Sequence, residues 1–139
     1  MPPKKAPRTP CLACGREPER REAKYCSNAC QAEAQYRDFI ERWKKGEVSG
    51  STGKNALFVA KPIRRYLMEK YHNRCARCCW SQRHPVTGKI PLTVDHVDGD
   101  WSNTTEENLI LLCPNCHSLT PTYGSLNRGN GREKARMRT

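Results

Sequence analysis

The sequence predicts a small α+β protein stabilised by bound zinc, and three observations carry that prediction. The chain offers little material for a hydrophobic core: of its 139 residues, 36% are hydrophobic, and the mean hydropathy is −0.88. Chains of this size and polarity usually need disulfides or metal ions to hold a fold. Nine cysteines are present, most of them paired at spacings that bring two sulfurs to one tetrahedral zinc. Stretches of helical and of strand-like periodicity are both legible between the pairs.

The chain begins Met1-Pro2-Pro3-Lys4-Lys5, with no signal-like apolar segment, and no apolar run approaches the length of a bilayer span. The cysteines therefore read as metal ligands in a reducing, intracellular compartment, with a cytoplasmic location expected, rather than as secreted disulfides. The formal charge is +11. It stays strongly basic after eight thiolates and two Zn2+ ions are counted, so an anionic polymer such as nucleic acid is the natural partner. A merely solubilising surface is the plainer alternative.

Residues 1–10 are rich in proline and basic side chains and read as a flexible arm. Cys11-Leu12-Ala13-Cys14-Gly15 and Tyr25-Cys26-Ser27-Asn28-Ala29-Cys30 follow. They give a first structural zinc site, Cys11, Cys14, Cys26 and Cys30, with Gly15 suited to the tight turn of a zinc knuckle. A helix should begin at Asn28, capped by Ser27 or Asn28. Ala29, Ala32, Tyr36, Phe39, Ile40 and Trp43 form its apolar stripe, Lys44 and Lys45 its last turn, and Gly46 its stop. Knuckle and helix together occupy residues 11–45.

Residues 46–61, with three glycines in the first half, read as a flexible linker. A second helix should start near Pro62 and bury Ile63, Tyr66, Leu67 and Tyr71. Arg64, Arg65 and Lys70 would face outward, available to DNA phosphate. Cys75-Ala76-Arg77-Cys78-Cys79 then pairs with Cys113-Pro114-Asn115-Cys116 as a second zinc site: Cys75, Cys78, Cys113 and Cys116. Cys79 is left over, although it could replace Cys78 as ligand. Residues 85–89 read as a turn. Residues 90–97 read as a strand with Ile90, Leu92 and Val94 alternating, 98–103 as a polar loop, and 108–112 as a second strand. Pro114 opens a helix running towards Thr120. Residues 128–139 form a basic tail, read as disordered until it meets DNA, with Arg128 and Arg132 placed to touch phosphate.

Asp95-His96 ends the first of these strands, and His117 directly follows the last zinc cysteine. Asp95 and His117 are natural ligands for a hard divalent cation such as Mg2+ or Mn2+, with positions left open for water and phosphate oxygens. His96 is then free to act as general base, because imidazole titrates near neutral pH. Zinc held by Cys113 and Cys116 would fix the helix that aims His117. Asp98 and Asp100 read as hydrogen-bond acceptors in the polar loop. His72 and His84 lack partners at ligand spacing and read as exposed.

At Val94-Asp95-His96-Val97, Asn108-Leu109 and Leu112-Cys113-Pro114-Asn115-Cys116-His117, the sequence resembles the HNH endonucleases. Within them it is most similar to the small, phage-encoded, free-standing and homing-like proteins. Ile63-Arg64-Arg65-Tyr66-Leu67, Ile90-Pro91-Leu92 and the Gly-Asn-Gly-Arg tail extend the likeness to roughly residues 11–132. The resemblance implies a ββα-metal finger in a nuclease domain over 62–127, with an N-terminal zinc-ribbon-like knuckle. It also implies hydrolysis of double-stranded DNA to leave 5′-phosphate and 3′-hydroxyl ends. In these proteins the Asp binds the catalytic metal, the following His is the base, the Asn pins the intervening loop through backbone hydrogen bonds, and the last His binds the metal. Those roles fall on Asp95, His96, Asn108 and His117. One departure is Cys79, which stands where glycine usually follows the knuckle. A non-catalytic zinc-dependent DNA-binding protein, and a nuclease for branched DNA or RNA, are the competing readings. Monomer and homodimer are equally open, as is the target sequence.

Overall fold

A computed structural model describes residues 1–5, 7–54 and 58–129. Arg132 and the rest of the tail beyond 129 lie outside the described residues, as do 55–57 of the expected linker. The chain divides into two units, Met1–Glu41 and Arg42–Thr139. No helix among the described residues is long and apolar enough to cross a membrane.

The first unit holds the N-terminal cysteine pairs and most of helix α1, Asn28–Lys44. Ser27 caps this helix, its Oγ accepting the Cys30 N–H at 3.1 Å. Arg42 and Lys44 lie in the last turn, where cations suit the helix dipole. Gly46 ends it at φ +77°, a conformation that costs glycine little. Of the expected stripe, Ile40 and Trp43 are buried, whereas Ala29 and Ala32 are exposed. The first turns are held by the Ser27 cap and by Cys30 within a sulfur cluster, so they need little apolar burial.

In the second unit, residues 46–61 are more than a linker. Strands β1 (Ser51–Thr52) and β2 (Phe58–Val59) pair antiparallel, Ser51 opposite Val59. Gly50 is buried, and its carbonyl accepts the Ala60 N–H at 2.8 Å. A Cβ there would lie 2.6 Å from Ile63 Cδ1, 2.8 Å from Trp43 Nε1 and 2.9 Å from the Thr104 carbonyl. Gly50 therefore serves close packing, which composition alone reads as flexibility. The Trp43 indole N–H donates to the Thr104 carbonyl at 2.7 Å, tying the end of α1 to the segment before β4. The second unit thus begins well before residue 62.

Helix α2 spans Lys61–Lys70, with Pro62 in its first turn and Ile63 and Leu67 fully buried. Tyr66 is half-buried and meets the Trp43 ring edge-on at 5.7 Å. Tyr71 falls just beyond the helix, at its C-cap.

Strands β3 (Thr93–His96) and β4 (Leu109–Leu112) pair antiparallel, Asp95 opposite Ile110 and His96 opposite Leu109. The first strand is shorter than the apolar alternation predicts. Pro91 has no N–H to give, and the Leu92 N–H turns back to the Ile90 carbonyl at 2.8 Å, so the ladder starts only at Thr93. Ile90 and Leu92 remain buried all the same. Asn108 lies in a 3₁₀ turn, Glu106–Asn108, rather than in β4 itself. Cys113 caps the short helix α3, Pro114–Ser118, its sulfur accepting the Cys116 N–H at 3.4 Å. Leu111 and Leu112 are fully buried with Ile63 and Leu67. Each such side chain contributes roughly 1.5–3 kcal/mol.

Candidate metal centres and active site

The two cysteine groups named from spacing each converge in space. Within Cys11, Cys14, Cys26 and Cys30, and within Cys75, Cys78, Cys113 and Cys116, all four sulfurs lie within 4.8 Å of one another. Neighbouring sulfurs are 3.4 to 3.6 Å apart where they touch. Four thiolates around zinc at about 2.3 Å stand roughly 3.8 Å apart, so each group fits the ion with little rearrangement.

The two knuckles share one backbone pattern. Gly15 N–H donates to the Cys11 carbonyl and Cys79 N–H to the Cys75 carbonyl, both at 2.9 Å. Cys11 N–H reaches the Arg16 carbonyl at 2.8 Å, and Cys75 N–H the Trp80 carbonyl at 2.9 Å. The turn requires a left-handed residue after the second cysteine, and Gly15 (φ +76°) and Cys79 (φ +64°) supply it. Both Cys78 and Cys79 are exposed, but Cys78 lies within the sulfur group and Cys79 outside it, so Cys78 is the one placed to bind a metal.

The electrostatics match. Burial pushes the Cys11 and Cys75 thiols up, but backbone N–H groups aimed at their sulfurs outweigh it and bring both to about 6. Neighbouring sulfurs raise Cys26 and Cys116 to about 12, those of Cys30 and Cys78 respectively contributing most. Sulfurs packed this closely resist becoming thiolates together unless a cation compensates them.

Beside the second cysteine group, β3 and α3 bring Asp95 and His117 together. Asp95 Oδ1 lies 3.4 Å from His117 Nδ1, and the two side chains are 13% and 30% exposed. That contact is not an aligned hydrogen bond: His117 Nδ1 is buried and has no hydrogen-bond partner. Burial raises the Asp95 pKa above the usual carboxylate range, against the lowering influence of His117, His96 and Arg77. A buried carboxylate and an unpartnered imidazole nitrogen facing each other are a donor pair that a hard divalent cation satisfies. His96, adjacent in the strand, has a buried Nε2 that is also without a partner. Burial lowers its pKa below the ordinary histidine value despite the nearby carboxylates of Asp95, Asp98 and Asp100, so the imidazole is neutral at neutral pH.

Asn108 ties the loop between the strands. Its Oδ1 accepts the Asp98 N–H at 3.0 Å, while Nδ2 donates to the Asn103 carbonyl and to Asp98 Oδ1, each at 2.8 Å. Asp98 also accepts from the Asp100 N–H at 2.8 Å and from Asn103 Nδ2 at 2.7 Å. Burial would raise the Asp98 pKa, but these donors prevail and hold it below the usual range. Asp98 is thus a central acceptor of the loop, and Asp100 accepts from Ser102.

The basic residues fare differently. Arg64 and Arg65 are exposed, but Arg64 donates to the Leu92 carbonyl at 2.9 Å and Arg65 pairs with Glu69 at 2.8 Å. Arg64 thus ties α2 to the segment before β3, whereas Arg65 pairs along α2. Arg128 is exposed, and Arg132 lies outside the described residues. His84 caps its turn, Nδ1 accepting the Val86 and Thr87 N–H groups at 3.1 and 3.2 Å. Sequence reasoning missed Tyr123, whose ring meets His117 edge-on at 5.2 Å, and Asn127, whose Nδ2 donates to the Gly99 carbonyl at 2.9 Å. No spacing rule marks either residue.

An antiparallel strand pair leading into a helix, framed by one of two cysteine tetrads that could each hold a metal ion, defines a small α+β protein. No family model matches the chain, and no solved structure does. Among curated proteins, 45 residues are 51% identical to "H-N-H endonuclease F-TflIV" of Escherichia phage T5. The match takes in 32% of this chain and 20% of that protein, so the chain aligns with about a fifth of its relative's length. Over those 45 residues the chain is similar to an HNH endonuclease.

Proposed function

We propose that the protein is a divalent-metal-dependent DNA endonuclease in which one strand end, one loop and one helix form a ββα-metal site. The observation that carries the reading is the facing pair of Asp95 and His117, with the unpartnered His117 Nδ1, beside a neutral, buried His96. Asp95 and His117 would hold Mg2+ or Mn2+. Bound there, such an ion polarises the phosphate and offsets charge on the departing 3′ oxygen.

The remaining work falls to the chain's own residues. His96, neutral because it is buried, takes a proton from water at Nε2, and that water attacks phosphorus. Asn108 and Asp98 keep the loop that follows His96 in one conformation, which limits the entropy lost in aligning base and phosphate. Cys75, Cys78, Cys113 and Cys116 would hold zinc, which would fix the start of α3 and hence the direction of His117. The N-terminal tetrad, with its zinc, acts as a separate DNA-holding knuckle. The basic arm over 1–10 and the tail over 128–139, with Arg128 and Arg132, supply the charge that favours double-stranded DNA.

Incubating zinc-loaded protein with supercoiled plasmid tests this, with and without Mg2+ or Mn2+. Nicked or linear product that requires the added ion is expected. Plasmid left intact, but shifted in mobility by binding, would favour a zinc-dependent DNA-binding protein without catalysis.

A further inference from the structure

The chain after α3 returns to the active-site loop, and it does so without burying its apolar side chains. Leu119 and Leu126 are 79% and 71% exposed, and Tyr123 is 45% exposed. The segment is held instead by polar and ring contacts, some to His117 and one to Gly99, the residue whose N–H bonds the His96 carbonyl. Thr120 is buried, and its Oγ1 donates to the His117 carbonyl at 2.9 Å. Successive turns follow, Tyr123 N–H to the Thr120 carbonyl and Leu126 N–H to the Tyr123 carbonyl. They place the Tyr123 ring edge-on against His117 at 5.2 Å, with the two planes at 88°. Asn127 Nδ2 then reaches the Gly99 carbonyl at 2.9 Å, while the Gly99 N–H donates to the His96 carbonyl at 2.9 Å.

Gly99 makes this closure possible. Its φ is +75°, and a Cβ would lie 2.2 Å from Asn127 Oδ1 and 2.9 Å from Thr122 Cγ2. The Asn127 carboxamide is therefore seated in the space that a side chain at position 99 would fill. Its Oδ1 is buried without a hydrogen-bond partner. The Asn127 amide is therefore half-satisfied, held by its single bond to the Gly99 carbonyl.

We propose that residues 119–127 form a strap that sets the separation of His96 and His117, with Tyr123 and Asn127 as its positioning residues. The inference rests on the reading of these histidines as base and metal ligand. Tyr123 limits rotation of the His117 ring, and Asn127 fixes the turn that ends on the His96 carbonyl. Residues that orient a ligand in this way typically carry a tenfold to hundredfold effect on metal affinity or rate.

The test uses the full zinc-loaded chain with two readouts: Mn2+ affinity by calorimetry without DNA, and the kcat and KM of plasmid nicking. Tyr123→Ala should weaken Mn2+ binding about tenfold or more, and Tyr123→Phe should restore it. Asn127→Ala should lower kcat about tenfold with KM unchanged within about twofold, and Gly99→Ala should do the same and add little to it. Should Asn127→Ala lose zinc or melt early, Asn127→Asp decides in its place, because it keeps the shape and lacks the donor. Wild-type Mn2+ affinity in Tyr123→Ala together with wild-type kcat in a folded Asn127 variant would overturn the strap. Cleavage that survives in His96→Ala would instead overturn the assignment of the base, leaving the Mn2+ result to judge Tyr123.

Discussion

Cys79 adopts a left-handed backbone, φ +64°, at the position that Gly15 occupies in the other knuckle. An L-residue pays roughly 1–2 kcal/mol for that conformation, whereas glycine does not. Cys79→Gly is therefore expected to keep both zinc ions and to gain up to about 1 kcal/mol, after glycine's own entropic cost is subtracted. Zinc analysis and a denaturant titration check both parts. Cys78→Ser should lose one ion, and loss of zinc from Cys79→Gly instead would reverse the choice of ligand. Asn108→Ala should cost about 1–3 kcal/mol and most of the cleavage rate, since it orphans the part-buried Asp98 N–H and Asn103 carbonyl. Convergence at this scale was legible where side-chain type and spacing sufficed: the eight cysteines gather in two groups, and Asp95 and His117 come together. Tyr123 and Asn127 were illegible because they lie in an aperiodic stretch, and their partners are a ring and a backbone carbonyl.

Among the elements, the 3₁₀ turn before β4 is anchored by a small polar cluster. The Tyr66 hydroxyl donates to Glu106, and Lys44 and Lys70 approach the same carboxylate at 4.0 and 3.5 Å. The Tyr66 hydroxyl above all, with Lys44 and Lys70 assisting, holds Glu106 below the usual carboxylate range against the upward push of burial. Because the folded pKa is depressed, the contribution to stability is complete above the unfolded value. It is lost as pH falls through the folded one. Wild type should therefore exceed Glu106→Gln in thermal midpoint at pH 7, and the difference should shrink as pH falls below the ordinary glutamate value and vanish below the depressed folded one. A difference that is constant with pH would remove Glu106 as the anchor. The sequence placed α1 from periodicity and capping, α2 from its apolar face and Pro62, and α3 from Pro114. It misread 46–61, because a glycine that lets Trp43 approach Ile63 looks the same in composition as one that confers flexibility.

At the scale of the molecule, few apolar side chains are buried among the described residues, and two sulfur clusters stand where a larger protein would have more core. Metal analysis should give two zinc ions per chain. A strong chelator should abolish cooperative unfolding, and zinc alone, without Mg2+, should restore it. Retention of the folded circular-dichroism spectrum after complete zinc removal would assign stability to the apolar core instead.

The division of labour within the site is the central claim, and His96→Ala tests it most directly when compared with His117→Ala in Mn2+ calorimetry and plasmid nicking. His96→Ala should bind Mn2+ as the wild type does and leave plasmid intact, because only the base is gone. His117→Ala should lose both. Cleavage by His96→Ala at the wild-type rate, or full Mn2+ affinity in His117→Ala, would contradict the account.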